Sequence, residues 1–166
     1  MGVLDLRGVP ARRAVPAAVG FVLAVTAVAA AGSLSAGSAA QSYATLVQPA
    51  WAPPSWLFGP VWSLLYALIA FAGWRVWLAA GSIGNARTEL SVYLVGLILN
   101  ALWTPLFFAL GLPVAAMVDI LALDLVIIVT AVLFWRRDRV AGWVFLPYLA
   151  WTLFATALNG AIIALN

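Results

Sequence analysis

The side chains that could do chemistry in this sequence are large aromatic rings accompanied by a few amides, and they recur at helical spacing. Three such stripes occur, formed by Trp62 and Tyr66; by Asn100, Trp103 and Phe107; and by Tyr148, Trp151, Ala155 and Asn159. Flat rings with few polar atoms suit a flat, apolar ligand. The alternative is ordinary helix-to-helix packing with interhelical hydrogen bonds, and this is the interpretation we favour for Asn159. For Asn100 and Trp103, together with Trp62, Tyr66 and Trp151, we favour a pocket.

Two carboxylates, Asp119 and Asp124, lie in one apolar run, but they do not form a catalytic pair. Five residues apart on a helix, they point about 140° away from each other. Asp124 lies near the middle of the run, where an ionised carboxylate needs a partner or a proton. We expect those partners to be Trp, Tyr or Asn side chains, and a structural role for Asp124 is as well supported as a functional one.

Histidine and cysteine are both absent from the sequence. Disulfides, thiol chemistry, imidazole metal ligands and histidine-based acid/base catalysis are therefore excluded. No nucleophile paired with a base, metal-binding motif or glycine-rich phosphate loop is visible. We expect no metal site, no required cofactor and no catalytic residue of the usual kinds.

The elements that must position these side chains are membrane helices. Hydrophobic residues make up 66% of the chain and charged residues 8%, against about 45–50% and 25% in soluble domains. An all-α integral membrane protein is predicted, forming a single membrane domain over residues 1–166. Its five transmembrane helices are expected at about residues 14–36, 59–80, 88–110, 113–135 and 141–165, with an uncharged, Pro- and Trp-rich loop over residues 37–58.

The first apolar run has two possible interpretations. A basic head, an apolar stretch and the small residues Ser38, Ala39 and Ala40 also describe a secretory signal peptide. The run exceeds the about 20 residues needed to cross the hydrocarbon core. We therefore favour a retained first helix, whereas cleavage would place a mature N terminus at Gln41.

Charge indicates the orientation of the helices. All eight basic residues are Arg, and they lie in the N-terminal arm, between residues 75 and 89, and in the turn at 136–139. These regions share one side of a five-helix bundle, and the positive-inside rule makes that side cytoplasmic. The N terminus is then cytoplasmic, the C terminus lies outside, and the helical spans favour the bacterial cytoplasmic membrane. Arg75 is expected to extend toward the interface at the inner end of its helix.

Four motifs in one order extend over nearly the whole chain. They are Tyr43 with Leu46 and Pro49; Trp51-x-Pro53-Pro54-x-Trp56-x-Phe58-Gly59-Pro60-x-Trp62-x-x-Leu65-Tyr66; Asn100-x-x-Trp103 with Phe107-Phe108; and Pro147-Tyr148-x-x-Trp151-x-x-Phe154-Ala155-x-x-Leu158-Asn159. With these motifs the chain resembles the tryptophan-rich sensory protein family, which includes the mitochondrial translocator protein, or peripheral benzodiazepine receptor. The resemblance implies a five-helix bundle that binds porphyrins and other flat hydrophobic ligands.

Carried over position by position, the resemblance implies a set of ligand-binding residues and a lid. The implied ligand-binding residues are Pro53, Pro54, Trp62, Tyr66, Asn100, Trp103, Asp119, Trp151, Ala155 and Leu158. The implied lid residues are Tyr43, Trp51, Trp56 and Phe58.

The chain departs from the family pattern at several positions. Ser42 stands where the family usually has Trp, Gln48 where it often has Lys, and Gly96 where a pocket Gln is common. The sterol motif proposed for animal members needs a Tyr followed by a basic residue, and residues 160–166 contain neither. Sterol binding through that motif is not supported.

The first functional hypothesis is therefore a receptor- or transporter-like membrane protein that binds porphyrin or haem as a ligand and regulates or traffics tetrapyrroles. A second is an enzyme that degrades porphyrin in light, for which Trp151 would be the reactive side chain by analogy. A third is a sterol- or lipid-binding protein or a dimeric scaffold, with a homodimer interface built from Ala27, Ala30, Ala31 and Gly32. Membrane lipids are expected partners, and nucleic acid is not.

Overall fold

A computed structural model of the protein describes residues 10–35 and 43–166. Five long helices occur in these two ranges, and no strand does. They are α1 (Ala11–Ser35), α2 (Phe58–Ala80), α3 (Arg87–Thr104), α4 (Pro113–Arg137) and α5 (Arg139–Leu165). Each coincides with a segment long and apolar enough to span a membrane, so the chain is an all-α, five-helix integral membrane protein, as predicted. Ser38, Ala39, Ala40, Gln41 and Ser42 lie outside the described residues.

The helices are arranged around the bundle in the order α1, α2, α5, α4, α3. Helix α1 packs on α2 and α3, α2 on α5, α5 on α4, and α4 on α3. The short turn at Gly111 makes α3 and α4 antiparallel neighbours, because glycine tolerates the positive φ of 61° that reverses the chain there. A buried core that includes Leu65, Val76, Leu123 and Phe134 occupies the part of the bundle nearer the arginines.

The arginine-bearing end of the bundle is held by two ion pairs. Arg75 contacts Asp138 through two hydrogen bonds, Nε to Oδ1 at 3.1 Å and Nη2 to Oδ2 at 2.7 Å. Arg137 donates to Glu89 from Nη2 at 2.6 Å and to the carbonyl of Asn85 at 2.9 Å. Arg75 extends toward the charged turn at the inner end of its helix, where it is 7% exposed and joins α2 to the start of α5 through Asp138. Its partner was missed because Asp138 lies far away in sequence.

Helix α3 does not continue to residue 110 as a regular helix. After Thr104 the chain forms a π-helical turn over Pro105–Ala109, in which the amide of Leu110 donates to the carbonyl of Pro105 at 2.9 Å. Proline has no amide hydrogen and cannot make the regular helical bond at this position. The wider turn presents Phe107 and Phe108 differently from a straight helix, and such turns often occur at functional sites.

The small residues of α1 face two directions. Ala27, Ala30 and Ala31 are exposed on the bundle surface, whereas Gly32 is buried. A Cβ atom at Gly32 would lie 3.5 Å from Oγ1 of Thr104 in α3. Gly32 therefore permits close packing inside the bundle and is not part of an outward-facing stripe of small residues.

Candidate ligand-binding pocket

A cavity of about 380 Å³ lies at the end of the bundle opposite the arginine ion pairs, and it is partly open to the surface. Its size falls within the range of small-molecule sites. It is enclosed by α1, α2, the α3 π-turn and α5, and the segment before α2 covers it. The lining residues are Ala29, Gly32, Ser33, Tyr43, Ser55, Phe58, Gly59, Trp62, Ser63, Tyr66, Trp103, Thr104, Phe107, Phe108, Ala155, Leu158, Asn159 and Ile162.

Aromatic pairs on two different helices form the walls of this cavity. On α2, the rings of Trp62 and Tyr66 lie 5.3 Å apart with 30° between their planes. On α3 and its π-turn, the rings of Trp103 and Phe107 are stacked with centroids 5.2 Å apart. Aromatic faces on both sides are suited to contact a flat ring system.

The ring of Tyr66 is oriented by a hydrogen bond to the side-chain amide of Asn100, which lies outside the cavity. The hydroxyl of Tyr66 donates to Oδ1 of Asn100 at 3.0 Å. Nδ2 of Asn100 donates in turn to the hydroxyl of Tyr148, also at 3.0 Å. Asn100 is buried and does not line the cavity, so it acts on the cavity through Tyr66.

The segment from Tyr43 to Leu57 is fastened over the cavity at several points. The hydroxyl of Tyr43 donates to the carbonyl of Pro53 at 3.4 Å, and the ring of Tyr43 contacts Phe58 edge to face at 5.6 Å. Trp51 contacts Phe154 of α5 at 5.7 Å. The backbone N–H of Val47 donates to Oδ1 of Asn166 at 3.0 Å, and Nδ2 of Asn166 donates to the carbonyl of Val47 at 3.1 Å. These bonds tie this segment, the lid, to the end of α5. Burial raises the pKa of the Tyr43 phenol, so it stays neutral.

The structure brings part of the predicted site together around the cavity. Of the predicted ligand-binding and lid residues, those that line it are Trp62, Tyr66, Trp103, Ala155, Leu158, Tyr43 and Phe58. Those that do not line it are Pro53, Pro54, Trp51, Trp56, Asn100, Asp119 and Trp151. Phe58 separates Trp151 from the cavity, since the ring of Trp151 packs edge to face on Phe58 at 5.9 Å.

The two carboxylates of α4 lie away from the cavity. Oδ2 of Asp124 accepts a hydrogen bond from Oγ1 of Thr156 in α5 at 2.7 Å. The partner is thus a threonine and not the expected Trp, Tyr or Asn, because Thr156 is brought opposite Asp124 only by the α4–α5 packing. Asp119 is 8% exposed, and its Oδ2 has no partner among the described residues.

Sequence reasoning missed the contribution of α1 to the cavity. Ala29, Gly32 and Ser33 form that wall. Of these three, only Gly32 belongs to the predicted dimer interface, and small residues on a helix also fit a wall that leaves space for a ligand. The departure at Gly96 has a packing explanation, since a Cβ atom there would lie 3.3 Å from Val126 of α4.

Two polar atoms of lining residues lack partners within the described part of the chain. They are the indole nitrogen of Trp103, a donor, and Oδ1 of Asn159, an acceptor. Nδ2 of Asn159 donates to the carbonyl of Pro113 at 3.4 Å, which agrees with the expected packing role of this residue. Both atoms are enclosed by protein and not exposed to the cavity, and a buried polar atom without a partner is costly.

Comparison with known proteins agrees with these features. The profile of the TspO/MBR family matches residues 18–165. A tryptophan-rich protein TspO of Archaeoglobus fulgidus is 43% identical over 149 residues, covering 89% of this chain and 95% of that protein. A tryptophan-rich sensory protein of Cereibacter sphaeroides is 38% identical over 75% of this chain and 76% of its own. The human translocator protein is 35% identical over 86% of this chain and 85% of its own. The chain, with its five membrane helices and aromatic cavity, belongs to the TspO/MBR family.

Proposed function

We propose that this protein is a receptor- or transporter-like membrane protein that binds porphyrins and other flat hydrophobic ligands in the aromatic cavity, and so regulates or traffics tetrapyrroles. The observation that carries the proposal is the pair of aromatic walls, Trp62 with Tyr66 and Trp103 with Phe107, on separate helices around one cavity. Relatives named translocator protein support a receptor- or transporter-like role.

Recognition in this cavity relies on stacking and hydrogen bonding. The sequence has no histidine or cysteine, and Met117 is not among the lining residues, so tyrosine is the one usual axial ligand of haem iron that the cavity walls offer. The hydroxyls of both lining tyrosines already donate within the protein, Tyr43 to the carbonyl of Pro53 and Tyr66 to Asn100. Metal-free protoporphyrin and haem are expected to bind with comparable Kd.

Titration of the purified protein with protoporphyrin IX tests the proposal, with the Soret absorbance and tryptophan fluorescence both recorded. We expect saturable binding, and Trp62→Ala should raise the Kd roughly tenfold, because one aromatic contact contributes about 0.5–1.5 kcal/mol beyond its buried area. Trp143→Ala is the matched control, since Trp143 is 57% exposed and does not line the cavity. Absence of saturable binding, or equal effects of the two variants, would contradict the proposal.

A further inference from the structure

A second cavity of about 510 Å³ follows the seam between α1 and α2 on the membrane-facing side of the bundle. Its α1 wall includes Ala18 and Val22, and its α2 wall includes Ala67, Ala70 and Trp74. The alanines leave a shallow trough between the helices, and we call this cavity the seam groove. It lies within the stretch of both helices that spans the hydrocarbon core.

The seam groove continues the aromatic cavity. Ala29, Ser63 and Tyr66 line both. From this junction the aromatic cavity extends toward the lid, whereas the seam groove extends toward lower numbers on α1 and higher numbers on α2. Because the two helices are antiparallel, both of these directions lead to the arginine-bearing end. One trough therefore runs from the lid toward the other end of the bundle.

Three polar groups of the junction and the seam groove are bonded within the protein. The hydroxyl of Ser63 donates to the carbonyl of Gly59 at 2.9 Å, and the hydroxyl of Tyr66 donates to Asn100. At the far end, the indole N–H of Trp74 donates to the carbonyl of Ala14 at 2.9 Å. A hydrocarbon that lies along the junction and over Trp74 therefore leaves none of these donors unpaired.

The length of the seam groove matches a lipid-sized chain. The α2 residues from Ser63 to Trp74 rise by about 16 Å along the helix axis. This is close to half of the about 30 Å hydrocarbon core, which is the depth of one leaflet. A chain that starts at the junction and follows the groove remains within the apolar layer.

We infer that the ligand of this protein is a flat ring that carries a long hydrocarbon chain, such as an isoprenoid ester of a tetrapyrrole, with the ring in the aromatic cavity and the chain in the seam groove. The inference rests on the proposed function, since it needs the ring site. A chain attached to a ring already bound at the junction is delivered to the groove at high effective concentration, which a separate lipid is not.

Two pigments with the same ring, pheophorbide a and its phytyl ester pheophytin a, distinguish the contribution of the hydrocarbon chain to binding from that of the ring. Each is titrated into the full-length protein in phosphatidylcholine nanodiscs, and binding is followed by pigment fluorescence. Ala67→Phe fills the seam groove, and Val22→Trp fills it from the α1 side. Ala79→Phe is the matched control, since Ala79 is exposed on α2 and lines neither cavity.

We expect both groove-filling variants to raise the Kd of pheophytin a roughly three- to tenfold, a modest change because the chain leaves lipid and not water. The Kd of pheophorbide a should not change, and the control should affect neither pigment. Equal losses for both pigments would place the ring in the groove and overturn the inference. If the groove-filling variants leave the Kd of both pigments unchanged, the groove holds ordinary lipid and the inference is also overturned. If neither pigment binds the wild-type protein, the ring site itself is refuted and this inference with it.

Discussion

At the scale of single residues, Asn100 shows how one amide can organise a membrane site. Its oxygen accepts from Tyr66 and its nitrogen donates to Tyr148, so α2, α3 and α5 meet at one side chain. Within a membrane, water is not available to replace these partners. The orientation of the Tyr66 ring in the aromatic cavity therefore depends on a residue that does not line it.

Replacing Asn100 by Leu should lower the free energy of unfolding by about 1 kcal/mol, since two interhelical hydrogen bonds of about 0.6 kcal/mol each are lost. It should also weaken porphyrin binding, because the ring of Tyr66 is no longer held. Unfolding in sodium dodecyl sulfate, followed by circular dichroism, measures the first effect, and titration measures the second. Tyr148→Phe is the comparison variant: it removes one bond only and should cost about half as much. An Asn100→Leu protein with unchanged stability would show that the bonds contribute nothing.

At the scale of elements, the start of α5 combines a helix cap with a buried ion pair. Oδ1 of Asp138 accepts from the amide of Ala141 at 2.9 Å, which caps the helix, and both carboxylate oxygens accept from Arg75. Burial by itself would raise the pKa of Asp138, but the hydrogen bonds from Arg75 and from the backbone, together with the charge of Arg75, hold it below its ordinary value. The ionised form is therefore favoured in the folded protein.

The Asp138→Asn variant keeps an oxygen that can cap α5 but removes the charge, so it isolates the ion pair. We expect it to lower the free energy of unfolding by about 2 kcal/mol at pH 7, less than a fully buried pair would cost. Asp138→Ala should cost about 1 kcal/mol more, because the cap is also lost. Thermal unfolding in detergent measures both, and Arg136→Gln at an exposed neighbouring position is the control.

The same pair predicts a pH dependence. Because the pKa of Asp138 is lowered in the folded state, its contribution is complete above the ordinary value of 3.8 and is lost as the pH falls through the lower, folded value. The wild-type advantage over Asp138→Asn should thus be constant from pH 7 to about pH 5 and shrink below pH 3.8. An advantage that is already lost at pH 5 would show that another group is responsible.

At the scale of the whole molecule, the two ends of the bundle differ in kind. One end holds the arginines of the described residues, with ion pairs that join α2 to α5 and α3 to α4. The other end holds the aromatic cavity and its lid. The charged end is fixed by specific contacts, and the cavity end is closed by a segment that lies across the helices.

The positive-inside rule predicts that the arginine end lies in the cytoplasm. Because the sequence has no cysteine, single cysteines can be introduced and labelled without background. In spheroplasts of a bacterial host, a membrane-impermeant maleimide should label Ala164→Cys and should label Ile83→Cys only after lysis. Both positions are exposed, so accessibility in the folded protein does not limit either reaction. The reverse pattern would invert the proposed topology.

Much of the fold could be predicted because membrane helices carry a local signal. The apolar runs located all five helices, although the first begins at Ala11 and the fourth extends to Arg137, both beyond the predicted limits. Helix ends are less certain, since capping and side-chain partners shift them. The aromatic spacing also indicated a pocket, and Trp62, Tyr66 and Trp103 do line one cavity.

The sequence by itself determined that this chain crosses a membrane five times, because hydropathy is a property of each segment alone. Helical spacing likewise showed which aromatic residues share a face. Only the tertiary structure decided that Asp138 is the partner of Arg75, that Asn100 and Trp151 stand behind the cavity, and that α1 supplies one of its walls. The physical reason is that these features depend on which helices are neighbours and how they are rotated, and in a membrane that choice rests on close packing of side chains distant in sequence.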